Sequence, residues 1–250
     1  MPGSGAFVVT GDPASPPGAT WSYRETLNGV AYDLTGSLRK PVGTGPFPAV
    51  IVSHGFGGNT RGYSAAVGAE MVQWGLVVIA TNYTHAAGVA LGSPGLVTER
   101  GASVPNVQRA TRLLGLLRSL NYVDMSRVAA HGHSMGAFLT TALAGAQPQA
   151  FRAISHTAGG VRTGGTQDEL AAPVESQVAS IVTPYQIHHG DADVVVPLEM
   201  DERLASLLRA RGRTHELYIY PGGTHNDVPF SRQMFDRVRS WYRTHGVLTP

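Results

Sequence analysis

Short apolar runs alternate with segments of helical periodicity along this 250-residue chain, and that alternation constrains the fold more than any other feature. The runs at 49–53 and 76–80 are continuous, rich in β-branched residues and typical of strands buried on both faces. A helix is predicted between them, at about 61–74. Buried strands joined by helices form a mostly parallel sheet that helices cover on both faces. The sequence therefore predicts an α/β fold.

The same alternation continues to the C-terminus. Apolar residues recur at helical spacing from Val107 to Leu117, and a third buried strand is predicted after them. The later expected elements are strands at 126–132, 151–156, 184–189 and 215–220, helices at 135–146 and 198–211, and a last helix with Met234, Val238 and Trp241 on one face. Residues 20–250 are therefore expected to form a single domain.

The N-terminal region has a different composition. Residues 1–19 are rich in Pro, Gly and Ser, and we expect them to form a flexible arm. Beyond the arm, Trp21 and Tyr23 begin an alternating run, and Asn28-Gly29 separates it from a second strand-like run. Asn-Gly between two such runs is a strong signal for a two-residue hairpin turn. An antiparallel hairpin is thus expected to open the domain.

Two segments, 85–105 and 159–181, fit the alternation poorly. Both follow predicted strands, and loops at strand ends build the functional site of an open α/β sheet. These segments are therefore expected to form a pocket wall or a partial lid.

Composition excludes several kinds of chemistry. The chain has no cysteine, which excludes disulfides, thiolate nucleophiles and cysteine-bound zinc. The formal net charge is only +2, and the basic residues are spread over several predicted helix faces, so nucleic acid is not an expected partner. The first twenty residues lack the basic start and apolar core of an export signal, and no run approaches 18 apolar residues. A soluble, cytoplasmic protein without membrane contact is expected. A secreted form that has lost its signal is the alternative.

The glycines at 132 and 136 enclose a serine between a predicted strand and a predicted helix. Ser134 stands where a nucleophile elbow places its residue, in a sharp turn that exposes the hydroxyl above the sheet. A serine that merely caps the following helix in a glycine-rich turn is the alternative.

A serine nucleophile needs a base, and the base needs an orienting carboxylate. Two C-terminal loops carry such residues directly after predicted strands. The first loop contains Asp191 and Asp193, and the second contains His225. From position alone, either aspartate could be the acid.

Acyl transfer also needs donors for a tetrahedral oxyanion. The stretch Ser-His-Gly-Phe-Gly-Gly at 53–58 directly follows a buried strand. By itself this stretch is equally consistent with a glycine-rich turn or an anion site at a helix N-terminus.

Taken together, these motifs resemble those of an α/β-hydrolase of the dienelactone-hydrolase-like and small-esterase branch, with cutinase-like polyester hydrolases as relatives. Residues 189–197 resemble the His-Gly-x-x-Asp-x-x-Val-Pro acid loop of this group, which implies that Asp193 is the acid. Gly-Gly-Thr-His resembles its histidine loop and implies that His225 is the base. The resemblance also implies an oxyanion hole made by the backbone amides of Phe56 and Met135, whose side chains are candidate substrate contacts.

The chain departs from these relatives in two places. Dienelactone hydrolases proper use a cysteine nucleophile, which is absent here, and residues 155–160 lack the tryptophan of many polyester hydrolases. The expected function is therefore a serine carboxylic-ester hydrolase acting through an acyl-enzyme on small to medium esters. The alternatives are a serine peptidase, amidase or acyltransferase of the same fold, and a non-catalytic binding protein.

No cofactor or metal is expected for this reaction. Histidines do occur close together near the predicted site, as His131-x-His133 and as His188 and His189. However, the chain has no His-Glu-x-x-His motif, and the acid loop already has a role.

Overall fold

The computed structural model describes residues 6–27, 30–87, 99–164 and 168–249. Its strands form one sheet in the order β1-β2-β3-β5-β4-β6-β7-β8-β9. The strands are β1 (Phe7–Thr10), β2 (Ala19–Leu27), β3 (Val30–Arg39), β4 (Phe47–Ser53), β5 (Val77–Thr81), β6 (Val123–His133), β7 (Ala153–Thr157), β8 (Tyr185–Gly190) and β9 (His215–Tyr220). From β5 to β9 every neighbouring pair is parallel, whereas β1, β2 and β3 join the sheet antiparallel. The predicted α/β fold with a mostly parallel sheet is confirmed.

Helices cover both faces of this sheet. They are α1 (Tyr63–Gln73), α2 (Val104–Ser119), α3 (Met135–Ala146), α4 (Glu175–Val178), α5 (Leu198–Ala210) and α6 (Arg232–Thr244). None of the helices within the described ranges is both long enough and apolar enough to cross a membrane.

Two apolar cores hold these layers together, and β4 contributes to both. Ala49 and Ile51 belong to the core beneath α2, α3 and α5, while Val50 and Val52 belong to the core beneath α1 and α6. Successive side chains of a strand point to opposite faces, so a strand with a core on each side must be apolar throughout. Burying one of the valine or isoleucine side chains completely contributes about 1.5–3 kcal/mol.

The N-terminal arm is predicted incorrectly in part. Residues 7–10 form β1 and pair with β2, with Phe7 opposite Tyr23. The Phe7 ring also packs against Trp21, with ring centroids 5.8 Å apart. Phe, Val and Thr all favour strands, and the pairing with β2 makes this four-residue segment the edge strand of the sheet.

The predicted hairpin is confirmed. Leu27 and Val30 are the last paired residues of β2 and β3, which leaves a two-residue connection. The connecting residues, Asn28 and Gly29, lie outside the described part of the chain.

Candidate active site

Ser134 lies in a strained turn between β6 and α3. Its backbone has φ 56° and ψ −124°, a conformation that costs a non-glycine residue roughly 1–3 kcal/mol. The Ser134 amide donates a hydrogen bond to the Thr157 carbonyl oxygen at 3.0 Å, which ties the turn to β7. The Ser134 side chain makes no capping hydrogen bond to α3. The helix-cap alternative is therefore wrong.

The two glycines of the elbow allow this turn to pack closely. A β-carbon at position 132 would lie 2.3 Å from the Gly136 carbonyl oxygen. One at position 136 would lie 2.2 Å from the Ser53 carbonyl oxygen. Any larger residue at either position would separate the elbow from α3 or from the end of β4. The Gly-x-Ser-x-Gly pattern is thus required by packing at both of its ends.

Asp193 and His225 are brought together by the loops after β8 and β9. Nδ1 of His225 donates to Oδ2 of Asp193 at 2.7 Å, while Oδ1 accepts from the amides of Val195 and Val196 at 2.8 and 2.9 Å. Burial would raise the pKa of Asp193, but hydrogen bonds from His189, His225 and these amides hold it far below its ordinary value. Asp193 is therefore a carboxylate that accepts a hydrogen bond from the imidazole.

Asp191 has a different contact. Its Oδ1 accepts from the Gly222 amide at 2.6 Å, so this carboxylate braces the loop that carries His225. Of the two aspartates that the sequence left as candidates, Asp193 is the one that contacts His225.

The ring of His225 packs on His133, the residue directly before Ser134, with ring centroids 4.6 Å apart. Burial, together with the nearby His225, lowers the pKa of His133 to about 3, so its ring is neutral. Between the described side chains there is no hydrogen bond from the Ser134 hydroxyl to His225. Catalytic hydrogen bonds of this kind are often long in the free enzyme and shorten once substrate binds.

The loop after β4 lies directly against Ser134. A β-carbon on Gly55 would be 3.0 Å from the Ser134 β-carbon and 3.5 Å from its Oγ. The backbone amides of Phe56 and Met135 donate no hydrogen bond to any described residue. Both amides are therefore available as donors beside Ser134, which is the arrangement expected of an oxyanion hole.

His85 holds this loop in place through two hydrogen bonds. Its Nε2 donates to the His54 carbonyl oxygen at 3.1 Å, and its own carbonyl oxygen accepts from the Gly57 amide at 3.0 Å. Burial and the neighbouring His54 ring lower the pKa of His85 to about 3. A neutral His85 therefore holds the loop from both sides of Phe56.

The side chains of Phe56 and Met135 have different surroundings. Phe56 is 58% exposed, and the guanidinium of Arg100 lies 4.9 Å from its ring centroid. Met135 packs against a small apolar cluster, which includes Ala102, Ala171 and Phe138. The Phe56 side chain is thus exposed at the surface of the site, whereas the Met135 side chain packs partly against this cluster.

The two segments expected to form a wall or lid both reach this cluster. Ala102 comes from the segment 85–105, and Ala171 comes from the segment 159–181. The described parts of both segments therefore pack beside the first turn of α3. Residues 88–98 and 165–167 lie outside the described part of the chain.

A buried pair that sequence reasoning missed lies behind the acid. His189 contacts Asp193 on one side and Asp201 of α5 on the other, and the side chains of all three are fully buried. The sequence signal for Asp201 was only an acidic residue in the first turn of a helix, which normally indicates a favourable interaction with the helix dipole.

Known proteins are similar to this chain in sequence and in fold. The family model for the dienelactone hydrolase family matches residues 34–235. The chain belongs to the dienelactone hydrolase family. The family lies within the α/β-hydrolase superfamily, and its members are hydrolases.

Individual known proteins match this chain at low sequence identity. An uncharacterized protein of Mycobacterium tuberculosis is 26% identical over 216 residues, which cover 82% of this chain and 73% of that protein. A thermophilic esterase from Thermogutta terrifontis has a similar fold, with a TM-score of 0.68, 19% identity and coverage of 90% of this chain and 94% of its own. A Bacteroides ovatus structure described as a dipeptidyl aminopeptidase IV gives a TM-score of 0.67 at 18% identity. The match covers 98% of this chain but only 36% of that protein.

Proposed function

We propose that this family member is a serine carboxylesterase that hydrolyses small to medium esters through an acyl-enzyme. In this proposal Ser134 is the nucleophile, His225 the general base and Asp193 the residue that orients it. The amides of Phe56 and Met135 stabilise the oxyanion. The observation that carries the proposal is the 2.7 Å hydrogen bond between Asp193 and His225, with the imidazole packed beside a strained serine elbow.

The first half of the reaction forms the acyl-enzyme. The Ser134 Oγ attacks the ester carbonyl carbon while its proton passes to Nε2 of His225. The carbonyl electron pair moves to oxygen, where the two amides meet the developing negative charge. Collapse of this intermediate breaks the bond to the alcohol oxygen, which leaves with the proton from His225.

The second half releases the acid. A water molecule attacks the acyl carbon as its proton passes to His225, and collapse of the second tetrahedral intermediate returns that proton to Ser134. Throughout both halves, Asp193 keeps the proton of the resting imidazole on Nδ1, so that Nε2 is free to act as the base. Every step uses groups of this chain, the ester and water.

The test is covalent labelling followed by a substrate panel. A fluorophosphonate is expected to label the wild-type protein at Ser134 and to leave the Ser134→Ala variant unlabelled. p-Nitrophenyl acetate and butyrate are expected to be hydrolysed, with turnover lost in the same variant. A folded wild-type protein that resists the fluorophosphonate and releases no p-nitrophenol would overturn the proposal.

The same panel distinguishes other acyl-transfer reactions. Matched p-nitroanilides test amide cleavage, and an added alcohol tests transfer to an acceptor other than water. Faster turnover of an anilide than of its matched ester, or an ester product that exceeds the free acid, would contradict carboxylesterase activity while leaving the acyl-enzyme in place.

A further inference from the structure

Two buried carboxylates lie on either side of one histidine behind the candidate active site. Nδ1 of His189 lies 2.7 Å from Oδ2 of Asp201. Its Nε2 lies 3.0 Å from the Val196 carbonyl oxygen and 3.5 Å from Oδ2 of Asp193. That Asp193 oxygen is the one that accepts the hydrogen bond from His225. Two imidazoles therefore share one oxygen of the acid.

Asp201 is itself held by further contacts. Its Oδ1 lies 2.7 Å from Nε2 of His156, and its Oδ2 accepts from the Gly159 amide at 3.0 Å. The result is a continuous series of contacting side chains, in the order His225, Asp193, His189, Asp201 and His156, of which all but the partly exposed His225 are fully buried. This series of side chains links the loop after β9 to β7 through β8 and the first turn of α5.

The acceptors around His189 determine its charge. Both of its ring nitrogens face oxygen atoms, and a neutral imidazole has only one N–H to donate. In a neutral ring, the lone pair of the unprotonated nitrogen would point at a carboxylate or carbonyl oxygen and would be repelled. The pKa values agree with this geometry. Burial lowers the pKa of His189, but its hydrogen bonds to Asp193 and Asp201 outweigh that effect and raise it to about 10. Although Asp201 is fully buried, its histidine partners hold its pKa well below the ordinary value.

We propose that His189 is a positioning residue that carries both ring protons in the resting protein. Asp201 fixes the ring of His189. The ring in turn holds Asp193 in place, and its positive charge weakens the attraction of the Asp193 carboxylate for a proton on His225. This role rests on the function proposed for Ser134, Asp193 and His225. Asp193 then supplies orientation without binding the proton of the base too tightly. Among the described residues, His133 also faces Asp193 and His225, where it lies against the His225 ring and is neutral, and His156 faces Asp201.

Removing the charge on His189 has a predictable direction. In the His189→Gln variant Asp193 loses its cationic neighbour, so it attracts a proton on the base more strongly. The acid limb of the kcat/KM profile for a p-nitrophenyl ester is expected to move to higher pH by about half a unit to one unit. Asp201→Asn removes the carboxylate that keeps His189 charged and is expected to move the limb in the same direction. If His189 had only a packing role, its replacement would lower kcat without shifting the acid limb of the pH profile.

His188→Gln is the matched control. His188 is the preceding residue on β8 and is fully buried, but its nitrogens contact Tyr220 and Gln186 instead of a carboxylate. The control is expected to keep the wild-type acid limb even if it lowers stability.

Nitrogen-15 NMR of histidine-labelled protein reads the charge directly. At pH 8 the wild-type protein is expected to show both His189 nitrogens protonated, and Asp201→Asn is expected to lose one of these protons. A single proton on wild-type His189 at pH 8 would overturn the proposal. An acid limb that moves equally in the His188→Gln control would do the same. If His189→Gln does not fold, the near-isosteric Asp201→Asn carries both measurements. A wild-type protein that lacks esterase activity would refute the proposed function, whereas the NMR result would still report on His189.

Discussion

The close contact between Gly55 and Ser134 leads to a sharp prediction for the Gly55→Ala variant. The added methyl group would lie 3.0 Å from the Ser134 β-carbon and 3.3 Å from the His133 carbonyl oxygen. The backbone at Gly55 is outside the left-handed region, so alanine introduces no conformational strain. The whole effect of the substitution should therefore come from pushing the loop that carries Phe56 away from Ser134.

The size of the displacement sets the expected loss of activity. Carbon atoms in ordinary contact lie about 3.5–4.0 Å apart, so the loop must move by about half an ångström or more. A misplacement of about 1 Å can cost a hundredfold in rate, and loss of one oxyanion donor costs about 3–4 kcal/mol. We expect kcat/KM for p-nitrophenyl butyrate to fall about 10- to 100-fold. Stability should fall by only about 1 kcal/mol, or roughly 2–4 °C in Tm.

The measurements are steady-state kinetics, the rate of fluorophosphonate labelling and thermal unfolding. Gly115→Ala in α2 is the matched control, because a β-carbon there meets nothing within 4 Å. The control should retain full activity and gain about 1 kcal/mol in stability from the better helix former. If Gly55→Ala keeps kcat/KM and labelling within twofold of wild type, the loop does not press on the serine as described.

Four further predictions follow from the same geometry. Ser134→Gly should abolish ester hydrolysis yet raise Tm, because it removes a positive φ from a non-glycine residue, a strain of roughly 1–3 kcal/mol. Asp193→Asn should lower kcat by about 10³- to 10⁴-fold by favouring the wrong imidazole tautomer, which kinetics at a fixed pH will measure. Gly136→Ala should destabilise the fold by about 3 kcal/mol in denaturant titrations, since its methyl group would meet backbone at 2.2 Å. Stability should also depend on His189. The pKa of His189 in the folded protein, about 10, exceeds the ordinary 6.5. Its protonation therefore contributes fully to the free energy of unfolding below pH 6.5, and this contribution is lost as the pH rises through 10. Thermal unfolding from pH 6.5 to 10 should show this loss in wild type and much less of it in His189→Gln.

Local sequence predicts the elbow and its helix well because their requirements are local. The two glycines and Ser134 fix where β6 must end, and α3 begins at the next residue, as expected. The strand β9 also has the predicted bounds, 215–220. By contrast, β1 depends on pairing with β2, and four residues after a Gly/Ser-rich start carry too little pattern to reveal such a partner.

The assignment of the acid shows where local information ends. Asp191 and Asp193 are two residues apart in one loop, and position alone left both open. The resemblance of residues 189–197 to a known acid loop favours Asp193, and in the structure the Asp193 carboxylate accepts a hydrogen bond from His225. The link between His189 and Asp201 had no such motif, because it joins a strand to a helix across a loop and exists only in the folded chain.

The two aspartates of this loop explain how distant strands can serve one site. Ser134 follows β6 and His225 follows β9, and three strand spacings, roughly 14 Å, separate these strands in the sheet. The sheet alone therefore cannot bring the imidazole to the serine, and the loop after β9 must fold back across the sheet edge.

Contacts with the acid loop hold this fold-back. Asp191 accepts from the Gly222 amide, and the Ala192 amide donates to the Gly223 carbonyl oxygen at 3.0 Å. A β-carbon on Gly190 would lie 2.0 Å from that same oxygen, so glycine is needed for the two loops to approach. With Asp191 engaged in holding the histidine loop, Asp193 is free to orient His225. Asp191 thus holds the loop that carries His225, while Asp193 contacts the imidazole itself, so replacing Asp191 should misplace the imidazole without changing its immediate hydrogen-bond partner.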